Sequence, residues 1–258
     1  MRIYSDCRDL MSEMGRELNS YGQVVKPKTY QNKVIEGIDD FITKEIICQQ
    51  YCLTSLKNVD YLFVYTKAKE WADAEFLERI DPDETYNNPG EAWKLREDMW
   101  EQFLVGTNDR HFDYTYCERI NQPVLFNGTR MTKLEAIIQL LKTDPGTRKA
   151  VLSIYGIGPH DFDSDYYAGE HRIPCSMYYD FLIRWNARGE KQLNIVYHQR
   201  SSDFCMHFGD DVYLAWRLME YIAREINIKP GYLYHTIDSL HAYKKDWHYL
   251  NSNIDDLV

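Results

Sequence analysis

The sequence lacks the basic excess that proteins need to bind duplex nucleic acid non-specifically. Its 258 residues include 30 Lys and Arg against 40 Asp and Glu, giving a formal net charge of −10. Because duplex binding relies on a basic surface that neutralises phosphates, we expect no direct nucleic-acid partner. A small anionic ligand held by a few placed cations is still compatible with this charge.

Long apolar runs are also missing. No stretch approaches the roughly 20 apolar residues that a membrane-spanning helix requires, and Met1 to Asp6 has no apolar segment typical of a signal peptide. We therefore expect no membrane association and a cytosolic setting. Repeats, low-complexity tracts and an obvious linker are absent too, so one α+β domain over residues 1–258 is the simplest organisation.

The six cysteines are scattered and have no complete set of metal ligands around them. Cys48 and Cys52 are four residues apart and would share one face of a helix, which gives half of a zinc site. No matching Cys or His pair lies nearby in the sequence. We therefore favour buried, reduced thiols and expect no metal.

The hairpin pattern within residues 173–211 organises the rest of the chain. Two strand-like segments, 177–184 and 193–200, flank a turn at residues 186–189. Strand patterns also occur at 149–155 and 232–237, and residues 22–36 and 157–172 are typical of extended or loop segments. Helical periodicity marks residues 1–19, 58–80, 131–143 and, most clearly, 215–226. Pro230-Gly231 is expected to stop the last of these helices.

Reactive groups cluster on this hairpin. Cys175 follows Pro174 directly before the first strand, and Arg200 ends the second. A lone cysteine is more often structural than catalytic, but a nearby arginine would favour the nucleophilic thiolate. The Arg200 guanidinium and the Ser201 hydroxyl also suit a phosphate group.

Two further pairs of polar residues are candidates for binding. His241 and Tyr243 alternate in an extended segment, so their side chains point the same way and could contact one sugar hydroxyl. A half-buried structural pair is the commoner reason for such residues. Arg148 and Lys149 form a cationic pair at the start of a strand, which alone would be a solvated surface.

Taken together, these segments resemble the thymidylate synthase superfamily over about residues 114–250. No single motif would suffice, but the motifs occur in a consistent order. The resemblance implies an α+β, thymidylate synthase-like fold with a mixed sheet and flanking helices. The matching segments are Tyr116-Cys117, Asp144-Pro145-Gly146-Thr147-Arg148-Lys149, Pro174-Cys175, Gln199-Arg200-Ser201-Ser202-Asp203, and Asp238 to Tyr243 with one extra residue, Leu240, before its histidine.

One position separates this sequence from the synthases themselves. Asp211 stands eleven residues after Arg200, where the synthases carry an asparagine that reads uracil. This aspartate resembles the deoxycytidylate (dCMP) hydroxymethylase branch of bacteriophages. An ionised aspartate only accepts hydrogen bonds, so it suits the 4-amino group of cytosine and a protonated N3. The alternative is a helix N-cap, a role that Asp210 could take instead.

The resemblance implies the remaining roles. Cys175 would add to C6 of cytosine, and 5,10-methylenetetrahydrofolate would supply one carbon, giving 5-hydroxymethyl-dCMP. Glu70, or next Glu75, would order a water, although the family's E-x-x-W pattern is not cleanly present because Ala68 stands three residues before Trp71. The implied contacts are Arg200, Ser201, Arg148, Lys149 and Lys28 to phosphate, His241 and Tyr243 to the sugar, and Asp203 and Trp100 to the folate.

The resemblance also implies a homodimer, in which Arg148 and Lys149 reach the nucleotide of the partner subunit. Two departures stand out: Ser176 follows the nucleophile where synthases have histidine, and Lys149 replaces an arginine. Three alternatives stay open, namely methylation to 5-methyl-dCMP, the ribonucleotide CMP as substrate, and a nucleotide- or folate-binding protein without activity. If a phage encodes the protein, its setting would be the host cytoplasm.

Overall fold

A mixed sheet of seven strands lies at the centre of the protein, in a computed structural model that describes residues 1–30, 33–83, 88–158 and 171–258. Four shorter strands form two separate hairpins within the same ranges. The strands in chain order are β1 (Arg2–Tyr4), β2 (Gln23–Val25), β3 (Thr29–Tyr30), β4 (Lys33–Val34), β5 (Thr43–Leu53), β6 (Pro123–Phe126), β7 (Thr129–Thr132), β8 (Val151–Ser153), β9 (Ser176–Trp185), β10 (Lys191–Asp203) and β11 (Lys229–Tyr243).

The order in the large sheet is β1-β5-β11-β10-β9-β8, and β2 pairs with β5. Strands β9 and β10 form the predicted antiparallel hairpin, whose turn ends at Gly189 with a positive φ of 75°. Strand β11 lies parallel to β10 and antiparallel to β5, so the sheet is mixed. This arrangement, with helices against the sheet, confirms the predicted α+β class.

Side-chain caps mark the start of some of the helices. Asp6 caps α1 (Cys7–Tyr21) by accepting a hydrogen bond from the Arg8 N–H, and Thr132 with Glu135 forms a capping box at α5 (Lys133–Thr143). The longest helix, α6, is the one that the sequence marks most clearly. The helices are α1 (Cys7–Tyr21), α2 (Lys69–Ile80), α3 (Glu97–Trp100), α4 (Tyr116–Ile120), α5 (Lys133–Thr143), α6 (Phe208–Glu225) and α7 (Trp247–Leu250).

The core lies between the helices and one face of the sheet. The apolar stripe of α1 includes Leu10 and Leu18, and that of α6 includes Met219 and Ile222, all fully buried with sheet residues such as Phe181. Burying a side chain of this size stabilises the fold by about 1.5–3 kcal/mol. This packing fixes α6 against the strands that carry the candidate site.

Several local predictions were wrong. The Cys48 and Cys52 segment is strand β5, not a helix: Cys48 is exposed with a φ of 58°, Cys52 is buried, and they form no shared metal-binding face. Within 58–80 only Lys69–Ile80 is α-helical, and a short 3₁₀ turn precedes it. Pro230 does not stop the preceding helix as predicted. It lies inside strand β11. Most of the predicted loop at 157–172 lies outside the described residues.

Two further findings concern metal binding and membrane spans. Within the described ranges, no group of three or more His, Cys, Asp or Glu side chains is placed to hold a metal ion. Over the same ranges, no helix combines the length and apolarity needed to cross a bilayer. The single-domain organisation over residues 1–258 stays a prediction.

Candidate active site

A cavity of about 480 Å³ lies where β10 and β11 meet the first turn of α6 and helix α2. Its volume suits small ligands, which bind in concave sites with a few convergent polar groups. The structure brings most of the predicted site residues to its wall. These are Cys175, Arg200, Ser201, Asp203, Asp211, His241, Tyr243 and Trp100.

The hairpin geometry holds the thiol segment against Arg200. Cys175 is partly exposed, and its carbonyl accepts a hydrogen bond of 2.9 Å from the Arg200 backbone N–H. The Arg200 Nε donates to the Pro174 carbonyl at 2.9 Å, and its Nη2 donates to the Ile173 carbonyl at 3.2 Å. The guanidinium is therefore fixed beside the segment that carries the sulfur, as the sequence predicts.

Ser176 directly follows the thiol and faces inward. It is 1 % exposed, and its hydroxyl lies 2.6 Å from the Tyr197 hydroxyl and donates to the Tyr116 hydroxyl at 3.1 Å. The sequence singled out Ser176 only as a departure from the family pattern. Its role in the structure is to anchor the start of β9, and with it the position of Cys175.

Asp211 lies in the first turn of α6 and lines the cavity. Its Oδ2 accepts a hydrogen bond from Gln199 Nε2 at 2.5 Å and another from the Ser202 hydroxyl at 3.3 Å. No described residue donates to its Oδ1. Burial raises the pKa of Asp211 to about 6, against the smaller opposing effects of Gln199, Arg79 and Ser202. Asp211 therefore presents one engaged and one open carboxyl oxygen.

Asp210 does not cap the helix, which corrects the sequence prediction. Helix α6 begins at Phe208, so Asp210 lies within its first turn, 2 % exposed. Its Oδ2 forms an ion pair with Arg96 Nη1 at 2.7 Å, and its Oδ1 is buried without a hydrogen-bond partner among the described residues. Burial raises its pKa to about 7, while Arg96 acts in the opposite direction.

A third buried carboxyl, Asp203, ends strand β10. It is 6 % exposed, and its Oδ1 accepts hydrogen bonds from the backbone N–H groups of Cys205 and Met206 at 3.1 and 3.3 Å. Burial and the nearby Asp246 raise its pKa to about 7. This carboxyl can therefore accept or donate a hydrogen bond near neutral pH.

His241 and Tyr243 lie on the same face of β11, as their alternation predicts. Their ring centroids are 5.2 Å apart in an edge-on contact. Burial lowers the pKa of His241 and raises the pKa of Tyr243. A neutral imidazole and a protonated phenol therefore face the cavity together, and both can exchange hydrogen bonds with a hydroxyl group.

An aromatic wall closes another side of the cavity. Trp100 stacks on Trp71 with ring centroids 5.7 Å apart, and Trp93 also lines the space. The indole N–H groups of all three are buried without a hydrogen-bond partner among the described residues. Such donors, together with the open oxygen of Asp210, fit a flat ligand that carries polar edges.

The sequence predicted only part of this wall. It named Trp100 but missed Trp93, Tyr114, Arg172 and His207, which also line the cavity. Arg172 is buried with its guanidinium 4.4 Å from the centroid of Phe103. No local pattern marks these residues, because each comes from a different loop or turn.

Glu70, the first predicted water-ordering residue, is not brought to the cavity. It is exposed on α2, whereas Trp71, Glu75 and Arg79 line the space. These three are spaced by four residues and share one helix face, whereas Glu70 lies about 100° around the helix from Trp71. The second candidate, Glu75, therefore occupies the site, with its Oε1 2.8 Å from Arg79 Nε.

The other predicted phosphate ligands also lie outside this cavity. Arg148 and Lys149 are exposed in the segment between α5 and β8. Lys28 is 78 % exposed at its side chain and lies 3.6 Å from Glu36. The three side chains are accessible from solvent, and none of them lines this cavity of the same chain.

Comparison with known proteins gives consistent relatives. A family model described as thymidylate synthase matches residues 84–256. A Methanosarcina mazei protein, provisionally named a thymidylate synthase, is 27% identical over 67% of this chain and 70% of its own length. The thymidylate synthase of Saccharomyces cerevisiae is 27% identical over 55% of this chain and 44% of its own.

The fold has a solved counterpart. Thermostable thymidylate synthase A from Bacillus subtilis superposes with a TM-score of 0.67 over 97% of this chain and 84% of its own, at 15% identity. At that identity the likeness shows a shared fold. Because the family model spans more than half of the sequence, the family itself is shown as well. The chain belongs to the thymidylate synthase family.

Proposed function

We propose that the protein transfers a one-carbon unit from 5,10-methylenetetrahydrofolate to C5 of dCMP, giving 5-hydroxymethyl-dCMP. The observation that carries this proposal is the presence of Cys175 and Asp211 on the wall of one cavity. A sulfur nucleophile and a base-reading carboxylate are the two groups that such a reaction needs. Family membership supports the one-carbon chemistry, and Asp211 supports cytosine as the base.

Nucleotide binding begins with the 5′-phosphate. The Arg200 guanidinium, held by the carbonyls before Cys175, and the Ser201 hydroxyl bind it by charge-assisted hydrogen bonds. In a homodimer, Arg148 and Lys149 of one subunit complete the phosphate site of the other, which accounts for their exposure in the single chain. His241 and Tyr243 hold the 3′-hydroxyl of the sugar.

The base is activated by a covalent bond. The Cys175 sulfur, as thiolate, adds to C6 of cytosine, and the electron pair of the C5–C6 bond moves to C5 and, by conjugation, toward N3. Asp211 accepts hydrogen bonds from the 4-amino group and from N3 in its protonated form, so the electron pair that reaches N3 neutralises a protonated nitrogen instead of leaving a bare negative charge. Its open Oδ1 faces the base, while its Oδ2 is already engaged by Gln199 and Ser202.

The aromatic wall and Asp203 form the folate side of the cavity. A pterin ring can stack near Trp100, and the Asp203 carboxyl can meet its polar edge. When bound there, 5,10-methylenetetrahydrofolate supplies the methylene carbon that C5 acquires. The indole N–H groups of Trp71 and Trp93, which have no hydrogen-bond partner among the described residues, are further donors on this side.

A water finishes the reaction. C5 loses its hydrogen as a proton when the exocyclic methylene forms there. Water then adds to the methylene carbon as hydroxide, the displaced electron pair reforms the C5–C6 double bond, and the thiolate leaves C6 to restore the aromatic ring. Glu75, oriented by Arg79, is positioned to take the proton from this water. The proposed chemistry is the same whether Glu75 has this role or Glu70, the first candidate from the sequence.

Tritium release tests the proposal directly. Incubation with [5-³H]dCMP and methylenetetrahydrofolate should release tritium and form 5-hydroxymethyl-dCMP, without production of dihydrofolate. Omission of the folate should stop product formation. Product formation from dUMP but not from dCMP would reject the proposed substrate.

A second candidate is methylation of dUMP, the activity in the names of the relatives. Its signature is formation of dihydrofolate, because the folate then supplies hydride as well as carbon. Dihydrofolate formed with dCMP would instead indicate 5-methyl-dCMP. The same incubations with CMP test the ribonucleotide, and binding without tritium release would identify a protein that has lost catalysis.

A further inference from the structure

A buried chain of hydrogen bonds leads from the central strands to Asp211. The Tyr51 hydroxyl lies 2.8 Å from His235 Nδ1, and His235 Nε2 lies 3.1 Å from Gln199 Oε1. Gln199 Nε2 then donates to Asp211 Oδ2 at 2.5 Å. The linking residues Tyr51, His235 and Gln199 are each at most 1 % exposed. The chain therefore connects β5, β11 and β10 to the cavity.

The direction of every hydrogen bond in this chain is fixed. Burial raises the pKa of Tyr51 far above its ordinary value and lowers that of His235 to about 3, so the phenol is protonated and the imidazole neutral. Gln199 turns its oxygen to His235, so the imidazole proton lies on Nε2 and Nδ1 accepts from the Tyr51 hydroxyl. All donors point toward the carboxyl of Asp211.

Ring stacking prevents the imidazole from turning. Tyr197 stacks on His235 with centroids 4.3 Å apart and an interplanar angle of 15°. Tyr179 stacks on Tyr197 in turn, and Phe208 lies parallel to the imidazole at 6.3 Å. Rotation of His235 would break these contacts, so its nitrogens stay aligned with Tyr51 and Gln199.

The opposite polarity is unfavourable. If Asp211 carried a proton on Oδ2, Gln199 would have to turn its amide and His235 would have to move its proton to Nδ1. The Tyr51 hydroxyl would then accept that proton's hydrogen bond, and its own proton would have no partner among the described residues. An unmatched buried donor is destabilising, so Oδ2 remains an acceptor and Oδ1 is left for the ligand.

We propose that Tyr51 and His235 are positioning residues that determine base selectivity by fixing which oxygen of Asp211 reads the pyrimidine. This inference rests on the proposed reading of cytosine by Asp211. Neither residue touches the cavity, and both act through Gln199. Without them, the Gln199 amide can turn, and the two carboxyl oxygens lose their separate roles.

Substitution Tyr51→Phe tests the inference because it removes one hydroxyl and keeps the ring. We expect the ratio of kcat/KM for dCMP to that for dUMP to fall by about tenfold, the order expected for a lost buried hydrogen bond. Tyr4→Phe is the matched control. It removes a partly buried hydroxyl that donates to Glu13, on a ring packed edge-on against Tyr51, and it should leave the ratio within about twofold. A Tyr51→Phe enzyme that is folded and keeps the wild-type ratio would overturn the inference.

A measurement on the unaltered protein covers the remaining outcomes. With ¹⁵N-labelled histidine, the His235 signal, assigned through its contacts with the Tyr51 and Tyr197 rings, should show the neutral Nε2–H tautomer across the neutral pH range. An Nδ1–H tautomer or a charged ring would overturn the inference even if Tyr51→Phe failed to fold. A wild-type enzyme without preference for dCMP would instead refute the proposed substrate. The observed tautomer would then test only the direction of the hydrogen bonds.

Discussion

Exchanging Asp211 for asparagine should convert the preferred base from cytosine to uracil. The amide oxygen of Asp211→Asn can take the place of Oδ2, because Gln199 and Ser202 both donate there. Its NH₂ group then replaces the acceptor Oδ1. A donor at that point matches O4 of uracil and opposes the 4-amino group of cytosine.

The size of this change follows from two effects: a matched hydrogen bond to dCMP is lost, and a matched hydrogen bond to dUMP is gained. Leaving a buried polar group unmatched costs about 1–3 kcal/mol, and the substitution both removes a match for dCMP and creates one for dUMP. The kcat/KM ratio of dCMP to dUMP should therefore fall by about 3–5 kcal/mol, or two to four powers of ten. Tritium release from each 5-labelled nucleotide measures the ratio.

The control is the neighbouring carboxyl. Asp210→Asn removes a buried negative charge from the same helix turn, but Asp210 is paired with Arg96 rather than with Gln199 and Ser202. In this variant the ratio of kcat/KM for dCMP to that for dUMP should change less than about threefold. If Asp211→Asn folds and its ratio stays within fivefold of the wild type, Asp211 does not read the base.

Three other predictions follow from the cavity. Cys175→Ala should abolish tritium release while nucleotide binding by calorimetry stays within about threefold, since only the sulfur forms the covalent bond; surviving turnover would exclude that bond. Glu75→Gln should lower kcat by about 10²-fold, whereas Glu70→Gln, the same change on the exposed side of α2, should stay within twofold; equal effects would remove Glu75 from its role. Asp203→Asn should raise the free energy of unfolding by up to about 4 kcal/mol at pH 8, because burial raises the pKa of the native carboxyl to about 7. Since the unfolded carboxyl ionises near pH 3.8, the gain should be absent below that pH, grow as pH rises to about 7 and then level off, as urea titrations can measure; a gain that shrinks with pH would contradict the cause assigned to this shift.

The site could be predicted where its parts lie close together in sequence. Cys175 and Arg200 belong to one hairpin, and Asp211 starts the next helix, so strand pairing alone brings these residues near one another. The predicted residues that line the cavity are mostly of this kind. The resemblance to a known family supplied their roles, which the pattern of strands does not contain.

Other parts of the fold and the site could not be predicted from local sequence. They depend on which way each side chain points around a helix and on pairing between strands that are distant in the sequence. Glu70 was chosen by its distance from Trp71 in a motif, but the helix turns it away and presents Glu75 instead. Strand β5 was mistaken for a helix because of the spacing of Cys48 and Cys52. The left-handed residue at Cys48 interrupts the two-residue alternation that identifies a strand. The role of Tyr51 followed only from the pairing of β5 with β11.

That pairing has a consequence for biosynthesis. Strand β5 holds its place between β1 and β11, yet residues 54–228 separate it from β11 in the sequence. While the ribosome is still making those residues, one edge of β5 has no strand to pair with, and such an edge can pair with other chains. Folding of this sheet must therefore wait until β11 has been made, and until then the open edge of β5 favours aggregation over native pairing.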